Sequence, residues 1–396
     1  FKEDSEDMNG NEISVIRQID YDESGVYEAV KRLLEPLGGI GSFVKSGQSV
    51  FVKANLVREL PPESAATTHP AVIGAVMKLI AEAGGKATVG DSSGGVYSEA
   101  HMKGVYKTTG MLGAAERSGG KVNDDYGSSC VSNEKGAVLK RIDVTDSFLK
   151  ADVVINCCKL KTHGLTAYSG AVKNLFGLIP GLVKVEMHSK YNTLDSFTDC
   201  LIDIERFASE KIALHIIDGI VGMEGAGPTN GRPRKMNVLI ASRNPYAADI
   251  AAISIFDEPL ENPIIIKAVG RRIISPDDEF LSAVKAKTAP FFIGDFDKIN
   301  AKLPPSFFAN MPGFIAKLFR SGMSRRVKIR KKICVGCGKC KTHCPGKAIE
   351  IKNRKAHIDQ SKCIRCYCCQ ELCPRDAVAF NKPLLYGLVN RLSGRK

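Results

Sequence analysis

Eight of the thirteen cysteines fall into two short runs that share one spacing. The first run comprises Cys334, Cys337, Cys340 and Cys344, and the second comprises Cys363, Cys366, Cys369 and Cys373. Each run follows the pattern C-x2-C-x2-C-x3-C-P, and corresponding cysteines lie 29 positions apart, which indicates an internal duplication. This spacing wraps three thiolates around one iron–sulfur cube and sends the fourth toward a neighbouring cube. The pattern therefore predicts two [4Fe-4S] clusters and the transfer of low-potential electrons.

The two runs resemble those of bacterial two-cluster ferredoxins. This resemblance implies that one cluster is held by Cys334, Cys337, Cys340 and Cys373. It implies that the other cluster is held by Cys363, Cys366, Cys369 and Cys344. Cys368 lies inside the second run but out of register, so we expect it not to be a ligand. A structural zinc site is the alternative, and two tandem runs that both end in proline argue against it.

The net charge of +13 is concentrated at the C-terminal end of the chain. From residue 328 onward there are 17 Lys or Arg residues and 4 acidic residues, so the rest of the chain is neutral. No aromatic-basic motif or recognition helix accompanies these charges, which argues against a nucleic-acid partner. We instead expect the basic cluster region to dock either a redox partner protein with an acidic surface or the chain's own α/β domain.

Composition places the chain among ordinary globular proteins. No apolar run reaches the roughly 18 residues that a membrane span needs, and the polar first dozen residues contain no signal-peptide core. The longest apolar runs, at Val153–Ile155 and Ile264–Ile266, are predicted to be buried strands. The remaining cysteines are scattered, which favours a reducing cytoplasm over a disulfide-bonded secreted protein.

Predicted strands and helices alternate through the first 300 residues. We predict strands at 49–53, 87–89, 151–156, 212–217 and 236–240, and a helix that begins at Pro70 and ends near Glu82. This alternation predicts an α/β fold, with a mostly parallel sheet and flanking helices in one or two lobes. The predicted order is a tail at 1–12, the α/β domain at 13–298, a linker at 299–330, a small α+β ferredoxin-like domain at 331–382 and a tail at 383–396. We also predict a short amphipathic helix at 314–319 and a terminal helix at 384–389.

Polar residues follow several of the predicted strands, where parallel sheets bind their ligands. Lysines beside backbone amides at a helix start can hold a carboxylate or phosphate. We therefore predict a site for an anionic substrate or cofactor, formed by Lys53, Asn55, Asp91, Ser92, Lys161, Asn174 and Gly219. Candidate proton-transfer or catalytic residues are His163, Lys173, Asp218 and Glu224. The alternative is that the glycines only form turns and the lysines are solvated.

Several of these segments resemble the family called domain of unknown function 362, whose members often carry the same ferredoxin module. The matching segments are Val52–Leu56, Thr67–Pro70, Lys159–His163, Ser169–Gly177 and Asp218–Gly219. The resemblance implies an α/β fold and an association with iron–sulfur clusters, but it implies no particular reaction.

The chain is also distantly similar to the nickel-pincer lactate racemase family. The corresponding positions are His163, Tyr168–Gly170, Lys173, Pro180–Gly181 and His188. The similarity implies that Lys173 anchors a cofactor, that His188 binds a further metal and that His163 is an acid/base. A second catalytic histidine of that family is replaced here by the segment Asp91–Gly94. The alternative for both histidines is a hydrogen-bonded scaffold role, and for Cys157 and Cys158 it is a place in the core.

Three hypotheses follow for the function. The first is a redox enzyme whose clusters pass electrons to an anionic ligand in the α/β domain. The second is an electron-transfer or assembly subunit whose α/β domain docks a partner protein. The third is a racemase-like enzyme that uses no electrons.

Overall fold

The computed structural model describes residues 12–298 and 326–380. The chain divides into two compact units, Phe1–Lys298 and Ile299–Lys396. Most of the predicted N-terminal tail, most of the predicted linker and the helices predicted at 314–319 and 384–389 lie outside the described residues. Within the described ranges, no helix is both long enough and apolar enough to span a membrane.

The first unit contains ten strands and eleven α-helices among its described residues. The strands are β1 Ile13–Arg17, β2 Ser49–Lys53, β3 Lys86–Gly90, β4 Lys121–Val122, β5 Ser128–Ser132, β6 Arg141–Thr145, β7 Val153–His163, β8 Ala167–Ser169, β9 Ile212–Glu224 and β10 Arg232–Ser242. The helices are α1 Glu23–Leu34, α2 Pro70–Glu82, α3 Glu99–Thr108, α4 Met111–Arg117, α5 Asp146–Lys150, α6 Ala171–Asn174, α7 Val183–Lys190, α8 Leu194–Ala208, α9 Pro245–Ser254, α10 Pro263–Gly270 and α11 Asp278–Thr288.

One eight-stranded sheet organises this unit, in the order β1-β10-β9-β7-β2-β3-β4, with β8 paired to β7. The five strands β9, β7, β2, β3 and β4 are parallel to one another. Strand β10 is antiparallel to β9, β1 is antiparallel to β10, and β8 is antiparallel to β7. The fold is α/β with a mostly parallel sheet, as predicted. Strand order reverses between β2 and β7, because β3 and β4 extend the sheet on one side of β2 and β9 extends it beyond β7.

Both faces of the sheet are covered by apolar cores, which explains why its central strands are almost continuously hydrophobic. Successive side chains of a strand point to opposite faces. Accordingly, Cys157 belongs to one core and Cys158 to the other. Burial raises the pKa of both thiols, which keeps them protonated. These two cysteines are therefore packing residues.

Local capping explains where helix α2 begins. Pro70 occupies the first turn, and the side chain of His69 accepts a hydrogen bond from the amide of Ala71. The same logic corrects the prediction for Ile264–Ile266. These residues lie in helix α10, because Asn262 caps it at the amide of Ile264 and Pro263 fixes its first turn. The expectation of a buried strand there was wrong.

Strands β7 and β9 extend well beyond their predicted ends. Lys159 pairs with Asp218, and Lys161 pairs with Met223, after β2 and β3 have already ended. Strands β8 and β10 support this extension from either side. The segments 159–163 and 218–224 are therefore parts of strands, not the loops at strand ends that we predicted.

The second unit contains two antiparallel pairs of strands and two single-turn helices among its described residues. Its elements are β11 Val327–Ile329, α12 Lys339–Thr342, β12 Ile349–Lys352, β13 Lys355–Ile358, α13 Cys368–Glu371 and β14 Val378–Phe380. Strand β11 pairs with β14, and β12 pairs with β13, both antiparallel. Helices α12 and α13 begin 29 positions apart, so the duplication seen in the cysteines extends to the backbone.

A buried carboxyl on helix α8 makes the stability of the first unit depend on pH. Burial raises the pKa of Glu205 to about 7, and the hydroxyl of Tyr246 donates to it at 2.9 Å. Between the usual pKa and pH 7 the folded chain therefore keeps a proton that the unfolded chain has lost. The free energy of unfolding must fall as the pH rises through this interval, by roughly 3 kcal/mol in total.

We expect Glu205→Gln to remove this contribution, because glutamine does not titrate. Relative to wild type, the variant should become more stable as the pH is raised from 5 to 8, as measured by urea unfolding followed by circular dichroism. Glu210→Gln is the matched control, because Glu210 is exposed and its pKa is lowered by Lys135. Parallel stability curves for Glu205→Gln and wild type would contradict the assignment.

Candidate functional site

Eight of the nine cysteines of the second unit line two separate cavities. Cys334, Cys337, Cys340 and Cys373 line the first, which encloses about 370 Å³ when the open solvent at its mouth is included. Cys344, Cys363, Cys366 and Cys369 line the second, of about 330 Å³ on the same measure. Each cavity thus receives three cysteines from one run and the fourth from the other. Cys368 lines neither cavity. Four thiolates facing one space are the donor set of a [4Fe-4S] cube, so the residues fit this cofactor.

The backbone around the two cavities repeats its conformation. Left-handed φ angles occur at Gly336 and Arg365, at 69° and 57°, and at Gly338 and Tyr367, at 83° and 67°. Members of each pair lie 29 positions apart. A Cβ on Gly336 would overlap the backbone of Arg354, so this position of the first repeat requires glycine. The turns between the cysteines are therefore the same in both repeats, although their residues differ.

Backbone amides donate to three of the cysteine sulfurs. Ala356 donates to Cys334 at 3.4 Å, Ala348 to Cys344 at 3.3 Å and Ala377 to Cys373 at 3.2 Å. Hydrogen bonds of this kind orient the sulfur atoms of metal-binding cysteines. They also tune the potential of a bound cluster.

In the first unit, a polar chain of amide side chains fills the crevice where strand order reverses. Asn174, on helix α6, accepts from Asn55 at 2.8 Å and donates to Asn156 on β7 at 2.7 Å. Asn156 in turn lies 2.9 Å from the ring of His215. The amine of Lys161 donates to Asn55 at 2.6 Å and to the carbonyl of Ala66 at 2.6 Å. This hydrogen-bonded network lies where the strand order reverses, a position at which open α/β sheets bind ligands.

Beside this crevice, Lys53 and Asp91 form a buried ion pair. Their amine and carboxylate are 2.7 Å apart, and the side chains are 0% and 4% exposed. The other oxygen of Asp91 accepts from the amide of Leu56 at 2.6 Å. A Cβ on Gly177 would overlap both charged groups, so that glycine permits the helical segment to pack over them. Ser92 accepts at its hydroxyl from the amide of Gly181 at 2.6 Å and from Lys184 at 3.0 Å.

A second buried ion pair joins β7 to β9. Lys159 donates to Asp218 and to the hydroxyl of Tyr21, each at 2.8 Å, and the two charged side chains are 1% and 0% exposed. Tyr21 donates to the other oxygen of Asp218 and stacks on His69 at 3.5 Å. Burial lowers the pKa of Lys159 and lowers the pKa of His69 to about 4. His69 is therefore neutral at physiological pH.

Lys173 and His188 are grouped around one aromatic ring. The amine of Lys173 lies 5.4 Å from the centre of Phe176, and His188 meets the edge of the same ring at 5.4 Å. His188 is buried and stacks on Phe197 at 4.3 Å. The predicted pair thus shares a neighbour, and an aromatic packing role for His188 is evident.

The remaining candidates lie farther along the extended strands. His163 is buried at the end of β7, and its Nδ1 accepts from the amides of Leu165 and Thr166 at 3.1 and 3.3 Å, which assigns the ring proton to Nε2. Glu224 accepts from Arg232 at 3.2 Å and from the amide of Asp297 at 3.1 Å. Asp218 and Glu224 have no partner in common among the described hydrogen bonds and ion pairs.

Gly219 is a packing position, because a Cβ there would lie 2.7 Å from the side chain of Val238. Asp249 is a buried residue that we did not predict from the sequence. It accepts from the amides of Ala171 and Val172 and from the hydroxyl of Tyr168, at 2.6, 3.1 and 3.2 Å. Asp249 therefore fixes the start of helix α6, which carries Lys173 and Asn174. Burial raises its pKa to about 7.

Tyr21, Asn156 and His215 were also missed in the sequence. A single Asn or His inside an apolar strand was the available signal at 156 and 215, because an isolated polar residue at such a position needs a buried partner. Tyr21 carries no comparable local signal, since it precedes helix α1 in an exposed, polar segment.

Comparisons with known proteins agree with the two units. Residues 50–254 match the family described as domain of unknown function (DUF362), and residues 326–374 match the 4Fe-4S dicluster domain. A thylakoid-associated protein of Synechocystis sp. is 32% identical over 244 residues, which cover 61% of this chain and 74% of that protein.

Two solved structures show weaker similarity. They are the lactate racemase apoprotein of Thermoanaerobacterium thermosaccharolyticum, at 14% identity and a TM-score of 0.34, and a protein of Thermotoga maritima, at 15% and 0.31. The matches cover 59% and 55% of this chain, and the chain spans only 56% and 55% of those two proteins. The match over more than half of the residues, together with the Synechocystis relative, shows that this chain belongs to the DUF362 family and carries a C-terminal 4Fe-4S dicluster domain.

Proposed function

We propose that this protein is an electron-transfer protein that holds two [4Fe-4S] clusters in its C-terminal unit. The partition of eight cysteines into two cavities of four carries this proposal. A bound cluster of this type would accept and release one electron at a low potential. The chain supplies the thiolates, the amide donors to sulfur and the apolar lining that limits contact with water. Its location in the cytoplasm stays a prediction.

We further propose that the electrons reach an anionic substrate or cofactor in the α/β domain, which would make the protein an oxidoreductase. The crevice between β2 and β7 supports this location, since Asn55, Asn174 and Lys161 meet there. Asn55 is only half-buried, as is Lys173 on the same helix as Asn174. Among the candidate residues of the α/β domain predicted from the sequence, these two are the ones that are not fully buried. Lys173 would supply the positive charge, and Asn55 would supply hydrogen bonds.

One observation favours a second function, in which the protein is an electron-transfer or assembly subunit. Lys53 and Lys159 each face a buried carboxylate at less than 3 Å, so their charges are already balanced inside the domain. An anion-binding site normally offers cationic donors whose charge is not neutralised. On this second proposal the lysines are structural, and the α/β domain binds a partner protein instead of a small anion.

The proposed ligand sets predict how iron content responds to single substitutions. Anaerobically purified protein should contain about eight irons per chain and give reduced-cluster EPR signals after dithionite. Cys344→Ser should lower the iron content to about four, because it removes one ligand of the second cavity only. Cys368→Ala is the matched control in the same module and should keep both clusters. Iron far below eight in reconstituted wild type, or equal losses in both variants, would contradict the proposal.

Native mass spectrometry of the anaerobically purified protein can decide between the two functions. We expect a bound small anion in wild type, and we expect Lys173→Met to lose it because the variant keeps the length of the side chain but not its charge. Lys190→Met is a control on the neighbouring helix α7, where Lys190 is exposed. An acidic protein partner recovered with no small molecule would instead support the subunit function.

A further inference from the structure

The two cavities of the C-terminal unit differ in how their cysteines meet the solvent. Cys337, in the first cavity, is exposed, whereas the other seven predicted ligands are buried or half-buried. Gly336 and Gly338 flank it and contribute no side chain that could cover it. In the second cavity, the position of Gly338 is taken by Tyr367, which is buried and packs against Phe380. A cluster in the first cavity would therefore have the more accessible edge.

Exposed apolar and basic side chains lie close to Cys337 in the sequence, and Val335 and Lys339 line the same cavity. Ile333 and Val335 are 39% and 52% exposed, although both are large aliphatic residues. Four exposed lysines accompany them, at positions 331, 332, 339 and 341, and we call this set together with Ile333, Val335 and Cys337 the lysine face. None of these lysines forms an ion pair with any residue in the described ranges. From residue 326 to residue 349 the sequence contains no acidic residue.

The internal duplication provides a comparison within the same molecule. Residues 330–341 carry five basic residues and no acidic residue, a net charge of +5. The equivalent residues 359–370 carry Lys362, Arg365 and Asp359, a net charge of +1. Both cavities offer four thiolates and would hold the same cluster charge. Neutralisation of the clusters therefore does not explain why the excess lies on one repeat.

We propose that the lysine face is the docking surface for an acidic redox protein, and that electrons enter or leave the module at Cys337. This inference rests on the proposed electron-transfer function and names its partner surface. In each transfer one electron passes between the first cluster and the redox centre of the partner, so that one is oxidised and the other reduced with no bond made or broken. The two aliphatic side chains would form the dry centre of a small contact, and the lysines would form its charged rim.

An acidic protein fits this surface better than an anionic membrane does. The basic residues flank the exposed cysteine ligand in the sequence, and Lys339 lines the same cavity as Cys337. An electron acceptor must come close to that ligand, whereas a lipid headgroup accepts no electrons. Basic charge at such a position also steers an acidic partner and raises the association rate by about tenfold or more at low salt. This steering weakens as salt shortens the screening length to about 10 Å at 0.1 M.

Two double variants with equal change in charge test the proposal. Lys332→Glu/Lys339→Glu alters the lysine face, and Lys347→Glu/Lys362→Glu alters the region beside the second cavity, where Gly346 packs against Lys362. The first measurement is binding of poly-L-glutamate by calorimetry at 20 mM salt. We expect the lysine-face variant to bind about tenfold more weakly than wild type, and we expect the control variant to change little.

The second measurement is the rate at which dithionite-reduced protein is oxidised by hexacyanoferrate(III), an anionic acceptor. We expect this rate to fall in the lysine-face variant and to fall in wild type when poly-L-glutamate is added. Oxidation by the cationic hexaamminecobalt(III) should not fall.

Equal losses in the two variants would overturn the proposal, because they would show a general charge effect. Stronger binding to phosphatidylglycerol vesicles than to poly-L-glutamate, lost only in the lysine-face variant, would overturn it in favour of a membrane. Iron content and EPR signals are measured on the same samples. Wild-type iron content with no difference between the variants refutes the docking surface alone, whereas absence of iron refutes the electron-transfer function itself.

Discussion

Lysine amines placed inside the α/β domain must find a compensating partner, and this requirement ties distant parts of the chain together. Asp218 receives Lys159 from the neighbouring strand, the hydroxyl of Tyr21 and the amide of His69. Asp91 likewise receives Lys53 and the amide of Leu56. Removing one member of a buried pair typically costs about 3–5 kcal/mol, because the other charge is left unpaired. The two pairs therefore hold the loops after β2 and β3 in one arrangement.

Which parts of this arrangement could be predicted depends on whether the signal is local. The helix that begins at Pro70 and the conformations of the cysteine loops follow from residues only a few positions apart, and sequence patterns predict both. Lys159 and Asp218 are 59 positions apart, and their contact exists only because β7 and β9 pair beyond the ends of their neighbours. Strand pairing of this kind leaves no local trace, so the predicted strand ends were too early and the lysines were expected to be open to a ligand.

In the duplicated module the backbone conformation is repeated although many of the side chains differ. Its backbone repeats closely, because two sets of cysteines with equal spacing share the same left-handed turns at 336 and 365 and at 338 and 367. The side chains are not repeated in the same way. The first repeat has glycine on both sides of Cys337 and a net charge of +5, whereas the second has Arg365 and Tyr367 beside Cys366 and a net charge of +1. The turns recur in both repeats and the charge does not, so the turns meet a structural requirement that the charge does not share.

The same distinction applies to the crevice between β2 and β7. Its interior is satisfied by amide groups that bond to one another, and amides can exchange these partners for a ligand without leaving a buried charge. The lysine pairs cannot do so at comparable cost, because each would leave a carboxylate behind. A ligand entering this domain would therefore displace contacts of Asn55 and Asn174 and leave Lys53–Asp91 and Lys159–Asp218 intact. The ion pairs would keep the surrounding structure fixed, and the asparagines would exchange their hydrogen-bond partners for the ligand.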